Sequence, residues 1–122
     1  MVYLVREEKS RNCFAAKVIK TRRRSYREQA QEEIAILRTL SHENIIRYVD
    51  SYSDLSSVVI LMEYLEGGEL FVRIADEEYS LTEADCVQFV RQICLGAEYL
   101  HSLSIVHLDL KVNMPSWGVM RD

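Results

Sequence analysis

One proline and four glycines in 122 residues rule out a collagen-like repeat and a Pro/Gly-rich disordered chain. Long apolar runs are missing too: none approaches the roughly 18 to 20 residues that cross a bilayer. Where a signal peptide needs an apolar stretch, Met1 to Ser10 carries Arg6, Glu7, Glu8 and Lys9. A cytoplasmic protein with no membrane partner is the expectation. Three cysteines, Cys13, Cys86 and Cys94, are odd in number and form no CxxC pair, so neither a disulfide framework nor a zinc knuckle is supported. A formal charge of -4 speaks against a general nucleic-acid binder. What is abundant, 48% hydrophobic and 28% charged residues, describes a globular domain or a piece of one. At this length it buries about two thirds of its unfolded surface and holds one modest core.

Met1 to Arg6 and Asn12 to Lys20 are rich in β-branched and aromatic residues on either side of the polar turn Glu7 to Arg11, which predicts a hairpin. Period-2 geometry puts Ala15, Lys17 and Ile19 on one face of the second strand. A lysine among such neighbours is paired or functional. Ser25 and Glu28 have the capping-box spacing, and Ala30, Ile34, Leu37 and Leu40 mark the apolar stripe of a helix from about Ser25 to Leu40. Glu33 rides beside that stripe. Ile45 to Tyr52 and Val58 to Tyr64 read as strands joined by the turn Ser53 to Ser57. Val58 to Met62 is apolar on both faces, as an inner strand is. Gly67-Gly68 reads as a hinge, Glu69 to about Asp76 as a short helix, and Thr82 with Asp85 as the cap of a long helix with apolar face Cys86, Phe89, Val90, Ile93, Ala97 and Leu100.

Four pieces, Ala15-Ala16-Lys17, Glu33 on a helix, Met62 to Glu69, and His107-Leu108-Asp109-Leu110-Lys111, occur in the order of a protein kinase. From Val2 to Lys111 the chain resembles the calcium/calmodulin-dependent group, near the myosin light-chain, titin-like and death-associated kinases. The resemblance rests on Glu66-Gly67-Gly68-Glu69-Leu70-Phe71, on Ala75-Asp76-Glu77-Glu78, and on leucine in place of arginine in His107-Leu108-Asp109. It implies an incomplete kinase-like α+β fold: a small antiparallel sheet with one helix over residues 1–65, a hinge, the first helices of the large lobe over 66–111, and an unrelated tail over 112–122.

The same resemblance implies the roles. Lys17 would grip the α- and β-phosphates of ATP, and Glu33 would hold that lysine. Met62 would guard the back of the pocket, the backbone of Glu63, Tyr64 and Leu65 would bond the adenine edge, Val2 and Ala15 would pack on the ring, and Glu69 would bond the ribose. Asp109 would accept the substrate hydroxyl proton and Lys111 would steady the phosphate, which marks serine/threonine kinases; His107 braces the loop. ATP and magnesium are the implied cofactors, serine- or threonine-bearing proteins the substrates, and calmodulin the implied regulator of a longer parent. The run Lys20, Arg22, Arg23, Arg24, which by itself could be a nucleic-acid patch, becomes an exposed turn.

The pattern departs from the family at both ends. Val2 matches the valine that closes the glycine-rich loop, so that loop is not among these residues. In H-R-D-L-x-x-x-N the magnesium-binding asparagine falls on Met114, with Asn113 one place early, and no D-F-G follows. No metal-ligating residue is therefore assigned. The codons of Val112-Asn113 begin like a splice-donor site, and Val112 to Asp122 is read as translated intron. Two expectations follow for the isolated chain. It is inactive as a kinase, or it is a non-catalytic, pseudokinase-like binding or competing module. A third expectation is instability, because the long helix would expose Phe89, Val90 and Ile93.

Overall fold

The computed structural model describes residues 1–65 and 82–106, which form two compact units. The first, Met1–Ser41 with Ile46–Tyr64, holds β1 (Val2–Arg6), β2 (Cys13–Lys20), α1 (Arg24–Leu37), β3 (Tyr48–Ser53) and β4 (Ser57–Glu63). The strands make an antiparallel sheet in the order β1-β2-β4-β3. The strand that is apolar on both faces is thus an inner one, as its sequence requires. Ala30 and Ile34 of α1 pack on Val58 and Ile60 of β4, with Ile19, Leu37, Tyr48 and Met62 around them.

Three boundaries differ from the sequence reading. Ser25 does not cap α1: the N-cap is Arg23, which offers no side-chain bond, and Glu28 instead meets Arg24 Nε at 2.8 Å. The cause is upstream, where Thr21 N–H donates to the Ser56 carbonyl at 2.8 Å and pins the chain only two residues before the helix. Arg27, one turn in, donates to Thr21 Oγ1 and to the Asp54 carbonyl, fixing the same entry. At the other end α1 stops at Leu37 rather than Leu40, and the next amides, Thr39 and Leu40, bond three residues back in a tightened last turn. The third strand starts at Tyr48, three residues later than expected, because Ile45 is buried in the other unit.

The turn from β3 to β4 is held by a single carboxylate. Asp54 accepts from the backbone N–H of Ser56 at 2.6 Å and of Ser57 at 2.8 Å, and from their hydroxyls at 2.9 and 3.0 Å. These bonds, Ser56 first, lower its pKa from the usual 3.8 to about 2. A depressed carboxyl pKa means that the turn's stabilisation is complete above the ordinary value and is lost as pH falls through about 2. The Ser56 and Ser57 amide resonances are expected to titrate with a midpoint near 2, a step absent in Asp54→Asn. A midpoint near the ordinary carboxyl value would contradict this account.

The second unit comprises His42–Ile45 and the chain from Leu65 on, of which 65 and 82–106 are described. Its helix α2 (Glu83–Ser102) opens on the expected capping box: Thr82 Oγ1 accepts the Asp85 N–H at 3.2 Å, and Asp85 Oδ2 accepts the Thr82 N–H at 2.9 Å. The expected apolar face is only partly the buried one. Phe89 (9% exposed) and Leu100 (4%) are buried with Gly96, whereas Val90 and Ile93 remain 59% and 37% exposed. Gly96 permits a close approach: a Cβ there would sit 3.2 Å from the Asn44 carbonyl oxygen, tighter than ordinary contact. Tyr99, one turn on, stacks on the His42 ring at 4.8 Å. Among the described residues no helix is long and apolar enough to cross a membrane. The glycine hinge, the short helix from Glu69 and everything from His107 on lie outside the described residues.

Candidate active site

Strand register gathers the predicted residues. Directly opposed residues of antiparallel strands point to one face. Val2 opposes Lys17, Lys17 opposes Ile60, and Ala15 opposes Met62. Val2, Ala15, Lys17 and Met62 therefore share one face of the sheet, the face on which α1 packs. Three of them are apolar, and the fourth carries a cation.

From α1, Glu33 reaches that cation. Lys17 Nζ lies 2.5 Å from Glu33 Oε1, the approach expected from the sequence. A helix rotated by half a turn about its axis would aim the carboxylate elsewhere; the burial of Ala30 and Ile34 sets the phase that aims it here. The side chains are 35% and 38% exposed, so solvent screens the pair and its direct contribution to stability stays at or below about 1 kcal/mol. The pair also orients the lysine. An ammonium has three donors; Glu33 takes one and fixes where the other two can point.

Met62 is half-buried against the core, and Glu63 begins the exit from β4. The side chain of Glu63 does something that the sequence reading, which used only its backbone, did not foresee. Its Oε1 accepts the Arg47 N–H at 2.9 Å while its own N–H donates to the Arg47 carbonyl at 3.0 Å. That closed pair ties the start of β3 to the end of β4. The detectable signal was alternation, which puts Glu63 on the face opposite Met62. Tyr64 ends this unit and Leu65 belongs to the other. Glu69, Asp109 and Lys111 lie outside the described residues.

With this geometry in place, comparison with known proteins is decisive. Residues 1–113 match the protein kinase domain family. The chain belongs to that family. It is 52% identical over 97 residues to myosin light chain kinase 3 of Homo sapiens, covering 80% of this chain and 12% of that protein. It is 48% identical to myosin light chain kinase 3 of Danio rerio, covering 80% and 14%. The twitchin kinase region of C.elegans superimposes with a TM-score of 0.85 at 35% identity, over 95% of this chain and 21% of that one. The calcium/calmodulin-dependent group is thus the right branch, and the chain spans a small part of each relative.

The kinase family uses ATP and magnesium. The apolar face of Val2, Ala15 and Met62 fits a flat heteroaromatic ring, and the two uncommitted Lys17 donors fit phosphate oxygens. Among the described residues no group of three or more His, Cys, Asp or Glu side chains is placed to hold a metal ion, and the segment from His107 on lies outside them.

Proposed function

We propose that the protein carrying this segment is a cytoplasmic serine/threonine kinase, and that residues 1–65 are its small lobe and hinge, 66–111 the opening of its large lobe, and 112–122 a tail outside the kinase pattern. The observation that supports this best is the Lys17–Glu33 pair at 2.5 Å, in a chain of kinase sequence. Phosphoryl transfer needs little covalent help from the protein and much positioning and charge neutralisation. Lys17, held by Glu33, neutralises the phosphates of ATP. Val2, Ala15 and Met62 cover the adenine, the backbone of Glu63 to Leu65 reads its edge, and Glu69 takes the ribose. Asp109 accepts the proton of the attacking serine or threonine hydroxyl, and Lys111 steadies the phosphate in transfer. A calmodulin-responsive segment of a longer parent is the regulator this reading implies.

The 122 residues alone are read differently. Met114 stands where the family has its metal-binding asparagine, and no D-F-G is present, so we infer no turnover and at most a non-catalytic binding role. Both readings are tested by one graft. Residues 1–111 replace the matched segment of a myosin light chain kinase catalytic domain, and labelled phosphate is followed into a basic substrate protein. The graft is expected to transfer phosphate and the isolated chain to transfer none. A folded but inactive graft would overturn the first reading, and activity of the isolated chain the second.

A further inference from the structure

The run that joins β2 to α1, Arg22, Arg23 and Arg24, is exposed throughout, and Ser25, which follows it directly, is exposed too. This segment is an arch with fixed feet. At one end the buried Thr21 donates its N–H to the Ser56 carbonyl at 2.8 Å, and at the other Arg27 donates to Thr21 Oγ1 at 3.1 Å and to the Asp54 carbonyl. Between the feet the side chains are little engaged. Arg24 Nε meets Glu28 Oε1 at 2.8 Å with its side chain 90% exposed, while the side chains of Arg22, Arg23 and Ser25 have no hydrogen bond or ion pair among the described residues.

Three consecutive arginines are costly here, because they repel one another and because the N-terminal end of a helix carries partial positive charge of its own. Nothing local offsets that cost. The N-cap is Arg23, which makes no side-chain bond, and the first turn of α1 holds no acidic residue. Only the Tyr26 N–H turns back, to the Arg23 carbonyl at 3.1 Å. The arch is therefore short of negative charge and of acceptors, and a hydroxyl that can gain both by covalent change stands at its end. That hydroxyl is Ser25.

We propose that Ser25 is a phosphorylation site for an arginine-directed serine kinase, one whose peptide groove presents carboxylates. Arg22, Arg23 and Arg24 fill the three positions before the hydroxyl, kinases choose substrates by such charge patterns, and a carboxylate bonds a planar guanidinium in pairs. In the reaction Ser25 Oγ bonds to the γ-phosphorus of ATP, the bond from that phosphorus to the bridging oxygen breaks, ADP leaves, and the hydroxyl proton passes to the base of the acting kinase. The product carries about -1.5 to -2 charge and three acceptor oxygens. At the second residue of α1 it lies beside uncapped amides and the arginine run, and both favour it. Glu28, one turn on, opposes it, yet that carboxylate is already paired with Arg24. Phosphate thus supplies the cap that α1 lacks and tightens the entry of the helix that carries Glu33. Here the chain is the substrate of another kinase, so the outcome is separate from whether its own parent transfers phosphate.

The test incubates the full chain with labelled ATP and a purified arginine-directed serine kinase, and in parallel with an acid-directed one, and maps the label by mass spectrometry. Label is expected on Ser25 from the first kinase and not from the second. Ser25→Ala should lose it, and Arg22→Gln with Arg23→Gln, both at exposed positions, should lower kcat/KM for the chain by about tenfold or more. Ser41, with only Arg38 in the three positions before it, is the internal comparison, and Ser41→Ala should change nothing. Phosphorus NMR reads the cap. In the folded chain the second pKa of the phosphate should lie about 0.5 below its value in denaturant, because arginines and helix amides favour the dianion. Label on Ser41 in place of Ser25, an unchanged rate for the double arginine variant, or a phosphate pKa that is the same folded and denatured would each overturn the proposal.

Discussion

Ile60→Ala is expected to cost about 3 to 4 kcal/mol of stability, a large share of the roughly 5 to 15 kcal/mol that holds a domain folded. Ile60 is 0% exposed, in the middle of β4, with β2 hydrogen-bonded on one side and β3 on the other. Its side chain is enclosed by Ala30, Ile34 and Val58. A cavity left there cannot close readily, because both flanking strands are held by their ladders, so the loss should lie in the upper half of the range for removing a branched side chain. Ile60→Val removes one methylene group and should cost about 1 kcal/mol. Leu55→Ala is the control: at 99% exposure it should stay within about 0.5 kcal/mol. Urea unfolding midpoints at unchanged slope measure all three. If Ile60→Ala and Leu55→Ala shift the midpoint alike, the core is not where the packing puts it.

The same residue shows why much of the fold could be read from the sequence. A strand apolar on both faces has to be an inner strand, and period-2 alternation puts Lys17 on one face with Ala15 and Ile19. The Lys17–Glu33 approach needed only a strand, a short connection and a helix phase set by Ala30 and Ile34. What escaped was set by contacts distant in sequence. Ser25 and Glu28 make a sound capping box in isolation, yet the bond from Thr21 to the Ser56 carbonyl starts the helix two residues too early for it. Strict alternation would have placed Tyr48 and Ser51 on opposite faces; a bulge that nothing in the local sequence announces brings them together. Helical periodicity likewise treated Phe89 and Val90 as equals. Burial separates them, because the buried line runs through Phe89, Gly96 and Leu100, and Gly96 enters it only through its close approach to Asn44.

In the grafted kinase, Lys17→Met should lower kcat/KM by about 10²- to 10³-fold, the loss that follows removal of one preorganised charge or donor from a transferring group. Glu33→Gln should lower it far less. The pair is roughly one-third exposed on each side, so what the carboxylate contributes is bounded by a screened ion pair of about 1 kcal/mol, a factor of roughly five. Lys17 touches the phosphates in this reading, whereas Glu33 acts through Lys17, so the double variant should lose no more than Lys17→Met alone. Asp109→Asn removes the proton acceptor and should cost about 10²- to 10⁴-fold in kcat with little change in the KM for ATP, while Lys17→Met should raise that KM. The contrast separates a phosphate-gripping lysine from a structural one. If Lys17→Met and Glu33→Gln lose equal factors and neither moves the KM for ATP, the pair only fastens α1 to the sheet, and the chemistry assigned to Lys17 is wrong.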